Sequence, residues 1–595
     1  MKISRVQIDN YRNLRHVDVS LDNLVALAGE NNAGKSNFLR ALSLPLSSEE
    51  GGASKRLSWF DVNNDAKKDY YDFIEQNAER FARNGVDVSE LSQHIPVVSV
   101  SIDLDADEAE HYDVRDLLTT DGGPDNVIGR IRYRWSIERP SRLLALISDL
   151  VTPDIDIQSI KMSLLPMELF HYEICAPDVS GDRRVPYDTL TRFKYVMLPA
   201  ERDSFSSGST KIGSHALVGL LEEKLEPQGQ KEIEQAYGAF MATIRRSANL
   251  DEIINWQDHT DVPNAGDFFD NISVLPNMPA MSSILSSIRL GYGDESLALQ
   301  GLGQRNLILM AVLLNSYLMA SSDISLRVVT VEEPEAHLCV NNALLMASLF
   351  KTFGEKDCHT QLIYSTHDPE FVNKVGLDKV LVLHSGSAIS LKDNLSQDEM
   401  DYLAANPNTD IFKLFFSRRL ILVEGITEEL LIKAYLQTKP ELNNIKVMSF
   451  HKGYKNIIKI WKRINSGNDS RLGIVRDSDN QPKAQAEHEQ LQNSQVCVQT
   501  TSYYTLETEF VNTGDNYRIL RDRYGGAYGW SEMSKDELQK DWRSKKSDVM
   551  LAICHDLLLG GLEGLTMPKH IQKVLHFLTA SEVSEQESPE SDNED

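Results

Sequence analysis

The chain is poor in cysteine and has no long apolar run. Its 595 residues include five cysteines, and no two of them form a CxxC pair. This scatter argues against a disulfide framework and against a zinc ribbon, so idle or buried thiols are expected. No uncharged apolar stretch reaches the length of about 18 residues that a transmembrane helix needs. The N-terminus also lacks the apolar region of a signal peptide. We therefore expect a cytoplasmic protein without a membrane partner.

Positive charge is scarce as well. The chain has 61 Lys and Arg residues against 88 Asp and Glu residues, which gives a formal net charge of −27. Proteins that bind nucleic acid usually have a basic balance. Contact with phosphate would therefore need local basic patches or bridging metal ions. The segment 581–595 has seven acids and no base, and its composition predicts disorder.

The length of the chain suits two or three domains. Strand-like alternation opens the sequence, and a helical period runs from Leu217 to about Asn249. The segment 391–407 is polar and contains Asn, Ser and Pro residues, which predicts a domain linker. A second series of strands and helices begins at Leu420.

Residues 29–36 (GENNAGKS) match the pattern GxxxxGK[ST]. An apolar strand precedes them and a helix begins near Lys35, which is the setting that this pattern requires. Backbone N–H groups in such a loop bind phosphate oxygens at a helix N-terminus. A glycine-rich turn without a ligand is the alternative. The residues predicted to bind ATP here are Asn32, Gly34 and Lys35, together with Ser36 as a ligand of Mg²⁺.

A second apolar strand ends in acidic residues in the segment 328–338 (VVTVEEPEAHL). Phosphate-binding loops gather at the carboxyl edge of such sheets. We therefore predict that Glu332 holds the Mg²⁺ shell and that Glu333 orients the attacking water. An acidic surface turn is the alternative.

These segments resemble the motifs of ABC-type ATPases related to SMC, RecF and OLD proteins. Glu332 stands where the commoner motif has Asp, which points to weaker or slower hydrolysis. His367 resembles the switch histidine of these ATPases, although a structural hydrogen-bonding role is the alternative. The segment 299–305 (LQGLGQR) resembles their signature loop, but a glutamine replaces the usual serine, and a plain glycine-rich helix start is the alternative. The nucleotide contacts that this resemblance implies are Gln300, Gly301 and Gly303.

Two further apolar strands end in carboxylates, in 420–429 (LILVEGITEE) and 472–479 (LGIVRDSD). Alternate residues at an extended strand end point the same way, so the two aspartates of the second strand can share a site. Clustered carboxylates repel one another unless cations lie among them. Oxygen ligands suit Mg²⁺ or Mn²⁺, and such a cluster can cleave phosphodiesters. Any one acid alone would be a surface residue or a helix N-cap. The predicted metal ligands are Glu424, Glu428, Asp477 and Asp479, with Glu424 and Asp477 also counted as catalytic.

This arrangement resembles the Toprim domain, whose strand-borne Glu and DxD residues bind metal. Glu507 is a candidate further ligand, although plain strand alternation in 505–509 is equally compatible. Nuclease-type Toprim domains also use a C-terminal basic residue near the scissile phosphate, and Lys569 is the candidate here. Two basic clusters, within 452–463 and 543–546, are either solvated helix faces or phosphate contacts.

An ABC-type ATPase followed by Toprim resembles the OLD (overcoming lysogenization defect) nuclease family. The resemblance implies an α/β fold and a homodimer or larger homo-oligomer, because an ABC signature loop caps the nucleotide of another subunit. Members of this length are similar to the large subunit of Gabija phage-defence systems and to OLD nucleases that accompany retrons. The implied partners are therefore DNA, a helicase, or a retron reverse transcriptase with its msDNA. The expected domains are an ATPase in two parts (1–200 and 281–395), a helical insertion for dimerisation (201–280), a parallel-sheet, Rossmann-like Toprim domain (410–580) and an acidic tail (581–595).

The family implies DNA cleavage or nicking, often in antiphage immunity, with ATP gating the metal-dependent cut. A RecF- or SMC-like DNA-binding ATPase whose Toprim-like domain only docks partners is the main alternative. A topoisomerase or primase also follows from Toprim, but no zinc module occurs in the sequence.

Overall fold

The computed structural model of the protein describes residues 1–48, 55–107, 110–119, 128–152, 155–177, 181–199, 212–248, 279–318, 324–356, 359–405, 409–450, 454–478 and 482–580. Its strands are β1 (Lys2–Tyr11), β2 (Leu14–Ser20), β3 (Leu24–Ala28), β4 (Ser47–Ser48), β5 (Val98–Asp105), β6 (Leu118–Thr119), β7 (Ile128–Ile137), β8 (Phe170–Ala176), β9 (Arg183–Arg184), β10 (Phe193–Leu198), β11 (Gly291–Tyr292), β12 (Glu295–Ser296), β13 (Leu326–Glu332), β14 (Thr360–Ser365), β15 (Val380–His384), β16 (Ser387–Ser390), β17 (Arg419–Val423), β18 (Ile445–Ser449), β19 (Arg471–Arg476) and β20 (Val496–Thr500).

The helices alternate with these strands along most of the chain. They are α1 (Lys35–Leu42), α2 (Asn64–Gln76), α3 (Ala78–Ala82), α4 (Val88–His94), α5 (His111–Val114), α6 (Pro140–Leu150), α7 (Lys161–Leu164), α8 (Tyr187–Leu190), α9 (Ile212–Lys224), α10 (Pro227–Ser247), α11 (Met281–Leu285), α12 (Leu302–Leu318), α13 (Val340–Gly354), α14 (Pro369–Val375), α15 (Leu391–Asn394), α16 (Gln397–Ala404), α17 (Ile426–Gln437), α18 (Tyr454–Ile464), α19 (Pro482–Glu489), α20 (Leu506–Asn512), α21 (Asn516–Tyr528), α22 (Lys535–Ser544), α23 (Lys546–Leu558) and α24 (Lys569–Thr579).

An antiparallel sheet forms the first layer of the N-terminal domain. Its strand order is β2-β1-β5-β7-β8-β9, with β6 paired to β7. In β2 the residues Leu14, Val17 and Val19 are buried while most of their neighbours are exposed, as expected for a sheet with one face in the core. The buried face packs on the second sheet in one hydrophobic cluster.

The second sheet is mainly parallel, with the order β16-β15-β3-β14-β13-β10-β4. Every residue of β3, β14 and β15 is buried, because helices or the first sheet cover both faces. Parallel pairing of β3 with β14 and of β14 with β13 brings the carboxyl ends of the three strands to one edge. The loops that follow these strands carry the predicted nucleotide-binding residues.

A third sheet forms the C-terminal domain. It has four parallel strands in the order β18-β17-β19-β20. Its apolar strands are covered by helices, and α24 packs so closely on β19 that a Cβ atom at Gly473 would lie 2.2 Å from Val574 Cγ1. The mixed α/β architecture with a parallel Toprim sheet confirms the fold class predicted from the sequence.

The segment predicted as a polar linker is helical and packed against the rest of the chain. Helices α15 and α16 lie within it, and Leu391, Leu395, Met400 and Leu403 are buried. A single hydrophobic cluster runs from β3 and β13 through this region to β17 and β19. The two domains therefore share a core.

Part of the predicted helical insertion lies within the described residues, as helices α9 and α10. Its role in dimerisation stays a prediction, and the acidic segment 581–595 lies outside the described residues. The four cysteines in the described ranges are free thiols. No described helix combines the length and the apolar character that crossing a membrane requires.

The close packing at Gly473 generates a stability prediction. We expect Gly473→Ala to destabilise the C-terminal domain by about 1–3 kcal/mol, because a stiff valine would have to move to admit the methyl group. Gly526→Ala is the matched control, since a Cβ there meets nothing within 4 Å and the position is inside α21. Thermal denaturation of both variants would contradict the packing argument if their midpoints fell equally.

Candidate functional site

The phosphate loop joins β3 to α1. Three of its residues have a positive φ, Gly29 at 150°, Asn32 at 66° and Gly34 at 110°, and backbone turns of this kind can direct the N–H groups of a loop towards a bound anion. Gly34 is the N-cap of α1 and brings no side chain to the cap, so the first amides of the helix remain available to phosphate. Ser36 is exposed at the same turn.

The Lys35 side chain is buried inside this loop. Its Nζ donates to the carbonyl oxygens of Gly29 and Glu30, both at 2.9 Å, and lies 3.4 Å from His367 Nδ1. Burial lowers the pKa of Lys35 to about 8, while the nearby Glu333, Glu335 and Glu30 carboxylates oppose that change. An anion in the loop would favour the charged form, as expected for a lysine that binds phosphate.

The acidic strand end and the histidine meet beside this lysine. Glu332 is the last residue of β13, and Glu333 follows with a φ of 41°. His367 Nε2 lies 3.1 Å from Glu333 Oε1. Burial and Lys35 together lower the pKa of His367, although Glu333 raises it. The predicted switch histidine, water-orienting acid and phosphate-binding lysine therefore form one contact group.

Glu335 supports this group, and the sequence reasoning assigned it no role. Its Oε1 accepts hydrogen bonds from Thr366 Oγ1 at 2.7 Å and from the backbone N–H of His367 at 2.8 Å. Burial raises the pKa of Glu335, and these donors oppose the rise. The carboxylate thus fixes the loop that carries the histidine. In the sequence, only the position of Glu335 within residues 332–338 (EEPEAHL) indicated a role in this site.

The predicted signature loop packs beside the segment that follows the acidic strand end. Gln300 Nε2 donates to Glu295 Oε2 at 2.8 Å, and a Cβ at Gly303 would lie 2.6 Å from the carbonyl oxygen of His337. Gly301 has open space around it. The action of this loop on the nucleotide of another subunit stays a prediction.

The second candidate site forms at the carboxyl ends of β17 and β19. These neighbouring parallel strands end side by side, and the backbone N–H of Asp477 donates to Glu424 Oε2 at 3.2 Å. A Cβ at Gly425 would lie only 2.8 Å from Glu428 Oε2. Glycine at this turn therefore lets the Glu428 side chain fold back towards the strand end.

Buried negative charge dominates this site. Burial, followed by the Glu428, Glu507 and Glu424 carboxylates, raises the pKa of Asp477 to about 8. Burial also raises the pKa of Glu428, with a further contribution from Glu507. Without a cation at the site, Asp477 therefore keeps its proton at neutral pH, because burial and the neighbouring carboxylates disfavour its charged form.

Glu507 joins the site from a helix and not from a strand. Glu507 lies in α20, so the alternative prediction that the segment 505–509 is a strand is wrong. The side chain is 1% exposed, and Lys546 Nζ lies 3.2 Å from its Oε1 without hydrogen-bond geometry. Burial lowers the pKa of Lys546, but Glu507, Asp477 and Glu428 outweigh it and raise the pKa overall. Lys546 is thus the cation of the cluster.

The oxygen atoms of this site fit a hard divalent cation. Asp477 Oδ1 and both Glu507 carboxylate oxygens are buried and accept no hydrogen bond within the described part of the chain. All the candidate ligands are carboxylates, the ligands that Mg²⁺ and Mn²⁺ prefer. However, no group of three Asp, Glu, His or Cys side chains among the described residues already has the geometry of a metal-binding site. Asp479 lies outside the described residues. Metal binding therefore stays a prediction.

Helix α24, whose first residue is the predicted basic residue Lys569, packs on strands β19 and β20. Arg471, at the start of β19, donates to the carbonyl oxygens of Phe577 and Ala580, at the end of α24. Lys569 begins that helix about 16 Å away, towards the carboxyl edge of the sheet. No ion pair joins Lys569 to the carboxylates in the described ranges, so its catalytic role is untested. Lys452 lies outside the described residues.

Divalent ions should stabilise this cluster, which gives a test that does not need DNA. We expect Mg²⁺ or Mn²⁺ to raise the thermal midpoint of the wild type above the midpoint measured in a chelator. At a metal concentration of 100 times the Kd, binding would add about 2.7 kcal/mol to the free energy of unfolding. Asp477→Asn should shrink this increase because a metal ligand is lost. It should leave the chelated protein about as stable, because the raised pKa of Asp477 keeps that carboxyl mostly uncharged at neutral pH, as an amide is. Asp515→Asn, at an exposed aspartate of the same domain, should retain the full response. An unchanged metal response in Asp477→Asn would exclude this carboxylate as a ligand.

Two family models match the chain. The AAA ATPase domain matches residues 1–84 and 195–372, which include the phosphate loop, the acidic strand end and the histidine. The TOPRIM domain of Overcoming lysogenization defect protein-like proteins matches residues 415–479, which include the carboxylates after β17 and β19.

Two curated relatives from Bacillus cereus are both named Endonuclease GajA. The protein from strain HuB5-5 is 26% identical over 219 residues, which cover 30% of this chain and 31% of the relative. The protein from strain VD045 is 20% identical over 451 residues, which cover 74% of this chain and 69% of the relative. The first match thus spans about a third of that relative's length.

Solved structures of SMC heads are distant neighbours. The SMC head bound to the C-winged helix domain of ScpA has a TM-score of 0.30 at 13% identity, covering 66% of this chain and 100% of that chain. The SMC head domain from Thermotoga maritima has a TM-score of 0.28 at 12% identity, covering 66% of this chain and 99% of that chain. Scores this low carry no argument. The chain therefore joins an AAA ATPase domain to a TOPRIM domain of the OLD-like type.

Proposed function

We propose that the protein is an ATP-regulated, divalent-metal-dependent DNA endonuclease that acts in antiphage defence. The observation that carries this proposal is the buried carboxylate group at the carboxyl edge of the TOPRIM sheet, formed by Glu424, Glu428, Asp477 and Glu507 with Lys546 as its cation. The endonuclease name of both curated relatives supports the same activity.

The carboxylates are suited to hold ions against a phosphodiester. Divalent ions bound there would supply hydroxide and stabilise the attacking and leaving oxygens. The hydrogen bond from the Asp477 backbone N–H to Glu424 Oε2 holds the Glu424 carboxylate beside the end of the second strand. Lys546 is positioned to neutralise negative charge that the DNA backbone brings to the site. Lys569, at the start of α24, is a further candidate for contact with the scissile phosphate.

The ATPase domain is proposed to control this cut. Lys35, Asn32, Gly34 and the first amides of α1 would bind the phosphates of ATP. Ser36 and Glu332 would hold Mg²⁺, and Glu333 with His367 would orient the attacking water. In a homo-oligomer, the loop with Gln300, Gly301 and Gly303 would complete the nucleotide site of another subunit. A helicase or a retron reverse transcriptase with its msDNA is the proposed partner.

A second candidate function is a DNA-binding ATPase whose TOPRIM-like domain only docks partners. Cleavage of plasmid DNA in Mg²⁺ or Mn²⁺, with and without ATP, distinguishes the two functions.

A variant of the first strand-end carboxylate tests the nuclease. We expect Glu424→Gln to lower the rate of plasmid cutting by more than about 100-fold, because a metal ligand is lost. ATP turnover should remain close to that of the wild type. Glu441→Gln, at an exposed glutamate of the same domain, is the matched control and should cut normally. Equal cutting by the two variants would rule out the proposed site.

A variant of the phosphate loop tests the division of labour. We expect Lys35→Ala to reduce ATP turnover by more than about 100-fold, because the charge that stabilises the transferring phosphate is removed. Metal-dependent cutting measured without ATP should persist. The control is Lys356→Ala, at an exposed lysine of the same domain. Loss of cutting without ATP in Lys35→Ala, with the fold retained, would argue against separate sites.

A further inference from the structure

A direct contact joins the phosphate loop to the TOPRIM sheet. The Glu30 side chain, inside the loop, accepts a hydrogen bond from the backbone N–H of Arg418 at 2.6 Å. Its other oxygen lies 3.4 Å from Arg418 Nε. Both side chains are about one-third exposed, so the charge pair is only partly screened by water. One carboxylate therefore holds both the main chain and the side chain of the residue that precedes β17.

Arg418 is tied into the TOPRIM sheet on its other side. Its carbonyl oxygen accepts the backbone N–H of Arg471, the first residue of β19, at 2.8 Å. Its guanidinium Nη1 lies 3.7 Å from Asp469 Oδ2. Arg418 is thus part of the start of both strands that end in the carboxylate site.

The β-hairpin of β15 and β16 in the ATPase domain contacts both the TOPRIM domain and the phosphate loop. Ser385 Oγ donates to Asp469 Oδ1 at 3.3 Å, and the neighbouring Gly386 N–H donates to the carbonyl oxygen of Ala33 in the phosphate loop at 3.3 Å. The phosphate loop, this hairpin and the start of the TOPRIM strands therefore form one ring of contacts. We call this ring, with Glu30, Ala33, Ser385, Gly386, Arg418 and Asp469, the junction.

The nucleotide site and the junction share one residue. The carbonyl oxygen of Glu30 accepts from Lys35 Nζ, whereas its carboxylate accepts from Arg418. A phosphate group in the loop would compete with the Glu30 carbonyl for the Lys35 ammonium. Without that hydrogen bond from Lys35, the backbone at Glu30 would change its conformation. The Glu30 side chain would transmit this change to Arg418.

The path from Arg418 to the carboxylates is short and stiff. Strand β17 spans the five residues Arg419–Val423 and leads directly to Glu424, a distance of about 17 Å at the usual rise per residue. Four of its five residues are buried, and it pairs with β18 and β19 on its two sides. A displacement at its start would be transmitted to its end, because packed strands shift as units.

We infer that the junction couples nucleotide binding to the TOPRIM site: ATP in the phosphate loop acts on DNA cleavage through Glu30, Arg418 and strand β17. This inference rests on the proposed function for the output it regulates. It concerns communication within one chain and does not need a second subunit.

The variant that tests the junction is Arg418→Ala, which removes the ion pairs to Glu30 and Asp469. The matched control is Arg192→Ala. Arg192 also immediately precedes a parallel strand, pairs with Asp113 at 2.6 Å, and has a side chain 32% exposed, against 34% for Arg418. Plasmid cutting would be measured with and without a non-hydrolysable ATP analogue. Hydrogen exchange of peptides covering 416–424 would be followed under the same conditions.

In the wild type and in Arg192→Ala, the analogue should change both the cutting rate and the exchange rate of 416–424. In Arg418→Ala, bound analogue should change both by less than about a third of the wild-type factor, since coupling energies of this kind correspond to factors of about 5 to 150. Cutting without nucleotide and ATP turnover should stay within about twofold of wild type, and Arg418→Lys should recover part of the response.

A full nucleotide response in Arg418→Ala, in cutting or in exchange, would overturn the inference. The exchange measurement also separates two kinds of failure. If the wild type does not cut DNA in Mg²⁺ or Mn²⁺, the proposed nuclease function fails, and the exchange difference between Arg418→Ala and Arg192→Ala alone decides whether the junction transmits nucleotide binding.

Discussion

Parallel strands bring their carboxyl ends to the same edge of a sheet, and both candidate sites are built on that constraint. In the ATPase domain, β3, β13 and β14 place Lys35, Glu333 and His367 in one contact group. In the TOPRIM domain, β17 and β19 do the same for Glu424 and Asp477. The amino ends of the TOPRIM strands contact the phosphate loop. The carboxyl edge of the ATPase sheet therefore faces the amino edge of the TOPRIM sheet. The direction of the strands therefore determines which strand ends of the two domains are in contact.

The two sites differ in how they balance buried charge. The ATPase site pairs its acids with Lys35, a cation that becomes easier to deprotonate as it is buried. In the TOPRIM site, burial and neighbouring carboxylates raise the pKa values of Asp477 and Glu428, and Lys546 opposes both rises. A site of the first kind favours an added anion, and a site of the second kind favours an added cation. This difference suits the first site to nucleotide phosphates and the second to divalent metal.

Much of the fold and of both sites could be predicted from the sequence, because the signals were local. The phosphate loop combines an apolar strand, fixed glycine positions and a helix start within a few residues, and Glu424 and Asp477 each follow a recognisable strand. Glu507 was ambiguous because the five residues 505–509 (TLETE) fit the alternation of a strand as well as a helix. The neighbour of Glu507, Lys546, lies 39 positions later, and its approach depends on how α20 and α23 pack. The polar composition of 391–407 concealed four buried leucine and methionine side chains.

The shared core has a consequence for how such proteins can diversify. The hydrophobic cluster that begins under β3 and β13 continues through Phe371 and Phe415 to Trp461 and Leu472 without a break. Apolar side chains of both halves thus help to shield each other from water. A TOPRIM half taken from a distant homologue would have to bring along a complementary surface for α14, α15 and α16. Recombination between family members should therefore favour exchanging the two halves together, and new specificities should arise in the surface loops.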